Sequence, residues 1–257
     1  KDMKGIFFVG AACVLLIGLL ISCTTKNVEE QKAQAEAARR LGEEYLIHGK
    51  FRIALKEFKK AESIYPDDPI LHDDIGLAFY YLGNQDQAIL SFKKALGIKD
   101  DYTPARNNLG NAYAEKKEWD KAIEQYKIVT SDLLYGTPQF PLSNLGLAYY
   151  QKKEYGLSAQ YYLKALDLKP DFVQALYGLA RTYMAMDRVP DAIAKLEKAV
   201  AISPDWVVLY FELAGAYALN RDYTKAVSAY HKVVELDPNS TLADRALIEA
   251  RKIKNRQ

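Results

Sequence analysis

A small residue following an aliphatic one returns along this chain at an almost fixed interval. It falls at Gly42, Gly76, Gly110, Gly146, Ala180 and Ala214, spaced 34, 34, 36, 34 and 34 residues apart. Self-similarity at this period means tandem copies of one small supersecondary unit, which constrains the fold before any local propensity is weighed. Each copy carries the same frame. Leu41-Gly42-x-x-Tyr45 is followed by Ala54, Phe58, Ala61 and Pro66; Ile75-Gly76-x-x-Phe79 by Ala88, Phe92 and Ala95; Leu109-Gly110-x-x-Tyr113 by Ala122 and Tyr126. Leu145-Gly146-x-x-Tyr149 is followed by Ser158, Tyr162, Ala165 and Pro170. Leu179-Ala180-x-x-Tyr183 then precedes Ala192, Leu196, Ala199 and Pro204, and Leu213-Ala214-x-x-Tyr217 precedes Ala226, Tyr230 and Pro238.

The pattern is one of packing. Gly or Ala lets two helix axes approach closely, while Leu and Tyr four positions apart share one helix face and fill the space between units. Proline near the end of a unit stops its second helix. A single helix pair cannot bury its apolar face alone, so neighbouring copies must complete it. The frame resembles the tetratricopeptide repeat, two antiparallel helices per copy. The resemblance implies an all-α, right-handed superhelical solenoid of six repeats: 35–68, 69–102, 103–136, 139–172, 173–206 and 207–240. Thr241 to Gln257 then reads as a capping helix, with Leu242, Ala246, Ala250 and Ile253 at helical spacing. Its basic residues read as a solvated face or, less simply, as a contact with membrane phosphates.

The amino-terminal segment carries a different message. Lys4 precedes an uncharged run from Gly5 to Ser22, the layout of an export signal. Leu20-Ile21-Ser22-Cys23 resembles the lipobox of bacterial lipoproteins. That resemblance implies cleavage of residues 1–22, acylation of Cys23 and a tether over 23–34. Thr24, rather than Asp, after the cysteine implies sorting to the outer membrane, facing the periplasm. The competing expectation is an uncleaved signal anchor on the periplasmic side of the inner membrane, although the run is at the short end for a spanning helix. Cys13 would leave with the signal, so no disulfide or thiolate metal site is expected downstream.

Basic and acidic residues nearly cancel, 35 against 33, which argues against a nucleic-acid partner. There is no phosphate loop, nucleophile elbow or paired metal-ligand spacing, so neither an enzyme, a cofactor beyond covalent lipid nor a small-molecule substrate is expected. His48, His72 and His231 sit in three separate copies and read as helix-end or surface residues.

In tetratricopeptide solenoids the first helices line a concave groove through their positions 2, 5, 6, 9, 12 and 13. Carried onto this chain, those positions give Tyr80 and Tyr81, then Asn107, Asn108 and Asn111, whose amides suit the backbone of an extended peptide. Further along they give Phe140, Leu147, Tyr150, Tyr177, Met184 and Phe211, apolar anchors for a peptide or helix. The alternative for the aromatic members is inter-repeat core. Glu43, Asp74 and Pro104 occupy places where a terminal-carboxylate clamp needs Lys, Asn and Arg, which argues against chaperone tails.

The spacing of 36 falls in TSDLLYGTPQFPLSNLG, residues 130–146. Here the third copy lacks its stop proline and ends in Leu133-Leu134-Tyr135-Gly136; Thr137 and Pro138 are the excess, and Phe140-Pro141 opens the fourth. The whole layout resembles the pilotin lipoproteins of type IV pili: lipobox, short tether, six repeats, cap, and Leu134-Tyr135 before Asn144-Leu145-Gly146-Leu147. The resemblance implies capture of the pilus secretin subunit and promotion of its outer-membrane localisation and multimerisation. Other expectations are a scaffold for outer-membrane protein assembly or cell-wall synthesis, or a signal-anchored assembly chaperone of the inner membrane.

Overall fold

The computed structural model describes residues 28–255. The expected signal segment 1–22, with Cys13, and the expected acylation site Cys23 lie outside the described residues. Residues 28–34, read as tether, are helical and run into the first repeat, so α1 spans 28–47. Twelve further helices follow: α2 (Phe51–Ile64), α3 (Pro69–Tyr81), α4 (Gln85–Ile98), α5 (Thr103–Glu115), α6 (Trp119–Ser131), α7 (Gln139–Gln151), α8 (Tyr155–Leu168), α9 (Val173–Ala185), α10 (Val189–Ile202), α11 (Val207–Leu219), α12 (Tyr223–Leu236) and α13 (Thr241–Lys254). No strand occurs among the described residues. The chain forms two compact units, one through Ala112 and one from Tyr113 onward.

Within each hairpin the first helix stops in the same way. The residue that closes the turn has positive φ at Gly49, Gly83, Lys117, Lys153, Asp187 and Arg221. The next residue's N–H then reaches back to the first helix, as in Lys50 to Tyr45 O (2.8 Å) and Glu154 to Tyr149 O (2.9 Å). Only the first two positions use glycine; the other four hold a side chain in the left-handed region, at about 1–2 kcal/mol each.

The small residue of the period is paired with the large side chain sixteen positions on. A Cβ on Gly42 would lie 2.4 Å from the Phe58 ring, and one on Gly76 equally close to Phe92. In the fifth repeat the small residue is Ala180 and the knob shrinks to Leu196, both fully buried. Tyr162 is the extreme case. It fills the space over Gly146 in its own repeat and over Gly178 in the next, where an added Cβ would meet its ring and hydroxyl at 2.2–2.4 Å. Beneath it Ser158, which replaces the usual alanine, donates to Gly146 O (2.8 Å) and meets Thr182 Oγ1 (2.9 Å), so α7, α8 and α9 share one buried hydroxyl pair.

Caps are local. Asp68 accepts from Ile70 N with Pro69 at the helix start, and Asn84, Asp222 and Ser240 cap α4, α12 and α13. The connection from α6 to α7 departs from the four-residue links between the other repeats. α6 ends at Ser131, one residue short of the other second helices, and 132–138 run outside helix. Asp132 accepts from Leu134 N (2.9 Å), forming a tight turn that leaves Leu133 and Leu134 96% and 93% exposed. The helix therefore closes before the leucine pair.

The last helix, α13, packs on α12 and α11 and buries Ala243, Ala246, Ala250 and Ile253. Its Arg245 lies over the Phe211 ring at 4.8 Å. His72, expected at a helix end or surface, is instead buried, with Nε2 on the Pro66 carbonyl at 2.7 Å. Burial holds its pKa below the ordinary value, so the ring is neutral and pins the inter-repeat corner.

Candidate functional site

In the first unit, α1 and α3 carry positions 5, 6, 9, 12 and 13 of their repeats and α5 its positions 5, 6 and 9, and the face changes character along the helices. Toward the carboxyl ends it is apolar. Tyr81, exposed, stacks on Phe51 (5.1 Å) and meets Tyr80 edge-on (5.5 Å). With Leu46, Ile47 and Leu77 this pair borders an open depression of about 370 Å³. Leu77, Tyr80 and Tyr81 also border a much smaller one, about 50 Å³, shared with Asn108 and Asn111.

Toward the amino ends the same face is charged. Arg39 is the hub: it pairs with Glu43, with Asp74 (3.3 Å) and, at 3.6 Å, with Asp68. One guanidinium cannot compensate three carboxylates, and the pKa directions follow. Burial, then the neighbouring Glu43, pushes Asp74 up to about 8 against the pull of Arg39. Burial pushes Asp73 up to about 6, although Asn108 Nδ2 donates to it at 2.9 Å.

The asparagine trio is therefore split. Asn108 spends its amide on Asp73 and ties α5 to α3. The Asn107 Oδ1 atom is buried with no hydrogen-bond partner, while Asn111 faces the small depression. Asn108 borders that depression as well.

In the second unit the first-helix face is aromatic. Phe140 stands 44% exposed at the start of α7, edge-on to Phe172 (5.2 Å). Leu147 is 38% exposed, and Met184 is half-buried. Tyr150 and Tyr177 are half-buried, and Tyr177 tilts against Trp206 at 5.5 Å. Phe211 is half-buried too, with Tyr230 on its edge at 5.5 Å and Arg245 over its ring. It belongs to the junction with the cap.

Between the two tyrosines lies a residue that sequence reasoning passed over. The Arg181 guanidinium is 4.9 Å from the Tyr150 ring centre and 5.6 Å from that of Tyr177. It occupies the ninth position of its repeat, a groove position, but was overshadowed by the aromatic pattern around it. Glu212 likewise sits at a sixth position and receives the Tyr177 hydroxyl at 3.5 Å.

Comparison with known proteins agrees with this architecture. Profiles described as tetratricopeptide repeat match residues 143–205 and 177–241, and a TPR-repeat profile matches 76–117, together more than half of the chain. This is a tetratricopeptide-repeat protein. Among solved structures the tetratricopeptide chain superposes on PilW, described as a widely conserved type IV pilus biogenesis factor, with a TM-score of 0.75. The match has 23% identity and covers 83% of this chain and 98% of that one. It superposes on pilF of Pseudomonas aeruginosa with a TM-score of 0.74 and 21% identity, covering 86% and 99%. Anaphase-promoting complex subunit 6 of Arabidopsis thaliana is 26% identical over 137 residues, 53% of this chain. The chain spans about a quarter of that relative's length.

Proposed function

We propose that this chain is a non-catalytic scaffold of type IV pilus assembly, holding a protein partner on its first-helix faces. The partner is the pilus secretin subunit, which the scaffold carries to the outer membrane and helps to multimerise. Cys23 supplies the lipid anchor on the periplasmic side, and no cofactor beyond that lipid takes part. The observation that carries this reading is the correspondence in fold with PilW, which covers 98% of that chain and 83% of this one. The lipobox and the interruption after the third repeat support it from the sequence.

Deleting the gene and blotting for heat- and detergent-resistant secretin multimers tests the function. The expected result is loss of multimers, restored by the wild-type gene. Multimers at normal level and place in the deletion strain would end the secretin reading. Cys23→Ala tests the anchor: the fold should survive while membrane fractionation shows the protein displaced.

A further inference from the structure

We propose that Arg181 reads a carboxylate on the partner. The second unit's first-helix face takes a segment in which one aspartate or glutamate is flanked by apolar side chains. This rests on the reading of that face as the partner-holding surface.

Three observations carry it. First, Arg181 is held in place by its surroundings, with Tyr150 and Tyr177 both within cation–π range. Rings that hold a guanidinium by its charge leave N–H groups that can fork onto a carboxylate. The Tyr150 hydroxyl takes part of that capacity, out of five donors.

Second, among the described residues no carboxylate is in ion-pair contact with Arg181. Glu212, whose charge it feels, is turned to the Tyr177 hydroxyl instead. Arg39, the arginine on the corresponding face of the first unit, has three carboxylates. An arginine set among rings, with its nearest carboxylate turned to another partner, is complementary to an acidic ligand, and desolvation by those rings strengthens the pairing.

Third, the flanks are apolar. Leu147 and Met184 share the first-helix groove positions with the tyrosines, exposed and half-buried respectively. They would cover apolar neighbours of the bound carboxylate and exclude water around it. A phosphate or a bare acidic tail would leave these flanks unused.

The test uses the purified full chain and two fluorescein-labelled peptides. One has a single glutamate between leucine and phenylalanine on either side; the other has glutamine in its place. The expected result is roughly tenfold tighter binding of the glutamate peptide, by anisotropy, weakening as salt rises. Arg181→Gln should abolish that preference while leaving glutamine-peptide affinity unchanged. Glu212→Gln should raise glutamate-peptide affinity severalfold, which a purely structural role for Arg181 would not produce. Thermal melts of both variants separate lost binding from lost fold.

Equal binding of the two peptides, failure of both to bind, or a preference that survives Arg181→Gln would overturn the proposal. So would an Arg181→Gln effect confined to self-association in sedimentation, since the occupant would then be a second copy. Failure of the secretin reading looks different: the carboxylate preference would persist in vitro while secretin multimers persist in the deletion strain.

Discussion

Replacing Asp73 by Asn should stabilise the first unit in neutral solution and leave it unchanged in acid. Asp73 is 5% exposed, and burial moves its carboxyl from 3.8 to about 6. A raised carboxylate pKa means that folding favours the protonated form. The group therefore costs nothing below about pH 4, and the cost grows as pH rises through the folded value. At about 1.4 kcal/mol per pH unit, the two-unit gap amounts to about 3 kcal/mol by pH 7. Asparagine keeps an oxygen for the Asn108 amide, which sits 2.9 Å away, and removes the charge. Asp74 is pushed up to about 8 in part by the charge of Asp73, so the substitution relieves Asp74 as well. Hydrogen exchange of the α3 amides, in wild type and variant from pH 4 to 7.5, reads the unit locally. The difference between the two proteins cancels the carboxylates that do not feel Asp73, and the relief of Asp74, which does, acts in the same direction. It should be near zero at pH 4 and favour Asn by about 2–3 kcal/mol above pH 6.5. A difference that is flat with pH, or that favours wild type at neutral pH, would refute the argument that an uncompensated carboxylate is buried there.

The other expectations concern the repeat frame. Lys153→Gly should raise the melting temperature, by about 0.5–1 kcal/mol of stability, because φ is 62° there and only glycine adopts it without strain; no change or a fall would count against strain at this turn. Gly178→Ala should cost about 1–3 kcal/mol, since the new Cβ would stand 2.2 Å from the Tyr162 Cζ atom, and chemical denaturation would show it. Leu133→Ser with Leu134→Ser should leave the melting temperature within about 0.5 kcal/mol of wild type, because neither leucine is covered. A marked loss would mean that the turn packs against something.

What was legible in the sequence was whatever repeats as composition. The Gly42–Phe58 and Gly76–Phe92 contacts follow from small and aromatic residues recurring in register, and the closing helix follows from its apolar stripe. The hairpin turns were only half legible. Gly49 and Gly83 advertise positive φ, but Lys117, Lys153, Asp187 and Arg221 adopt it under the hairpin's constraint and carry no such signature. The end of α6 was obscured for a similar reason: an aspartate side chain, not a proline or glycine, closes it. In the candidate site, the aromatic positions were identified but not their neighbours. Covering of Phe211 by Arg245 depends on how the cap docks, and no pattern within one repeat reports that.

One relation between repeats was present in the sequence but needed the geometry to be seen. Arg39 meets Asp74, Asp73 meets Asn108 and Tyr177 meets Glu212, and every pair is 35 residues apart. Each joins the fifth position of one repeat to the sixth position of the next, one period plus one. These rungs are polar, and each includes an acidic side chain. The positions that form them are consumed by holding adjacent first helices in register, which is why Asn108 is engaged within the fold despite lying on the groove face. Position nine is off the rung. Leu77, Asn111 and Arg181 occupy it in three repeats, and the first two border the depressions of the first unit. In these pairs the fifth and sixth positions serve the scaffold, and so does the ninth in the first repeat, where Glu43 pairs with Arg39. One repeat frame thus carries an apolar side chain at this position in one unit and an arginine beside two tyrosines in the other.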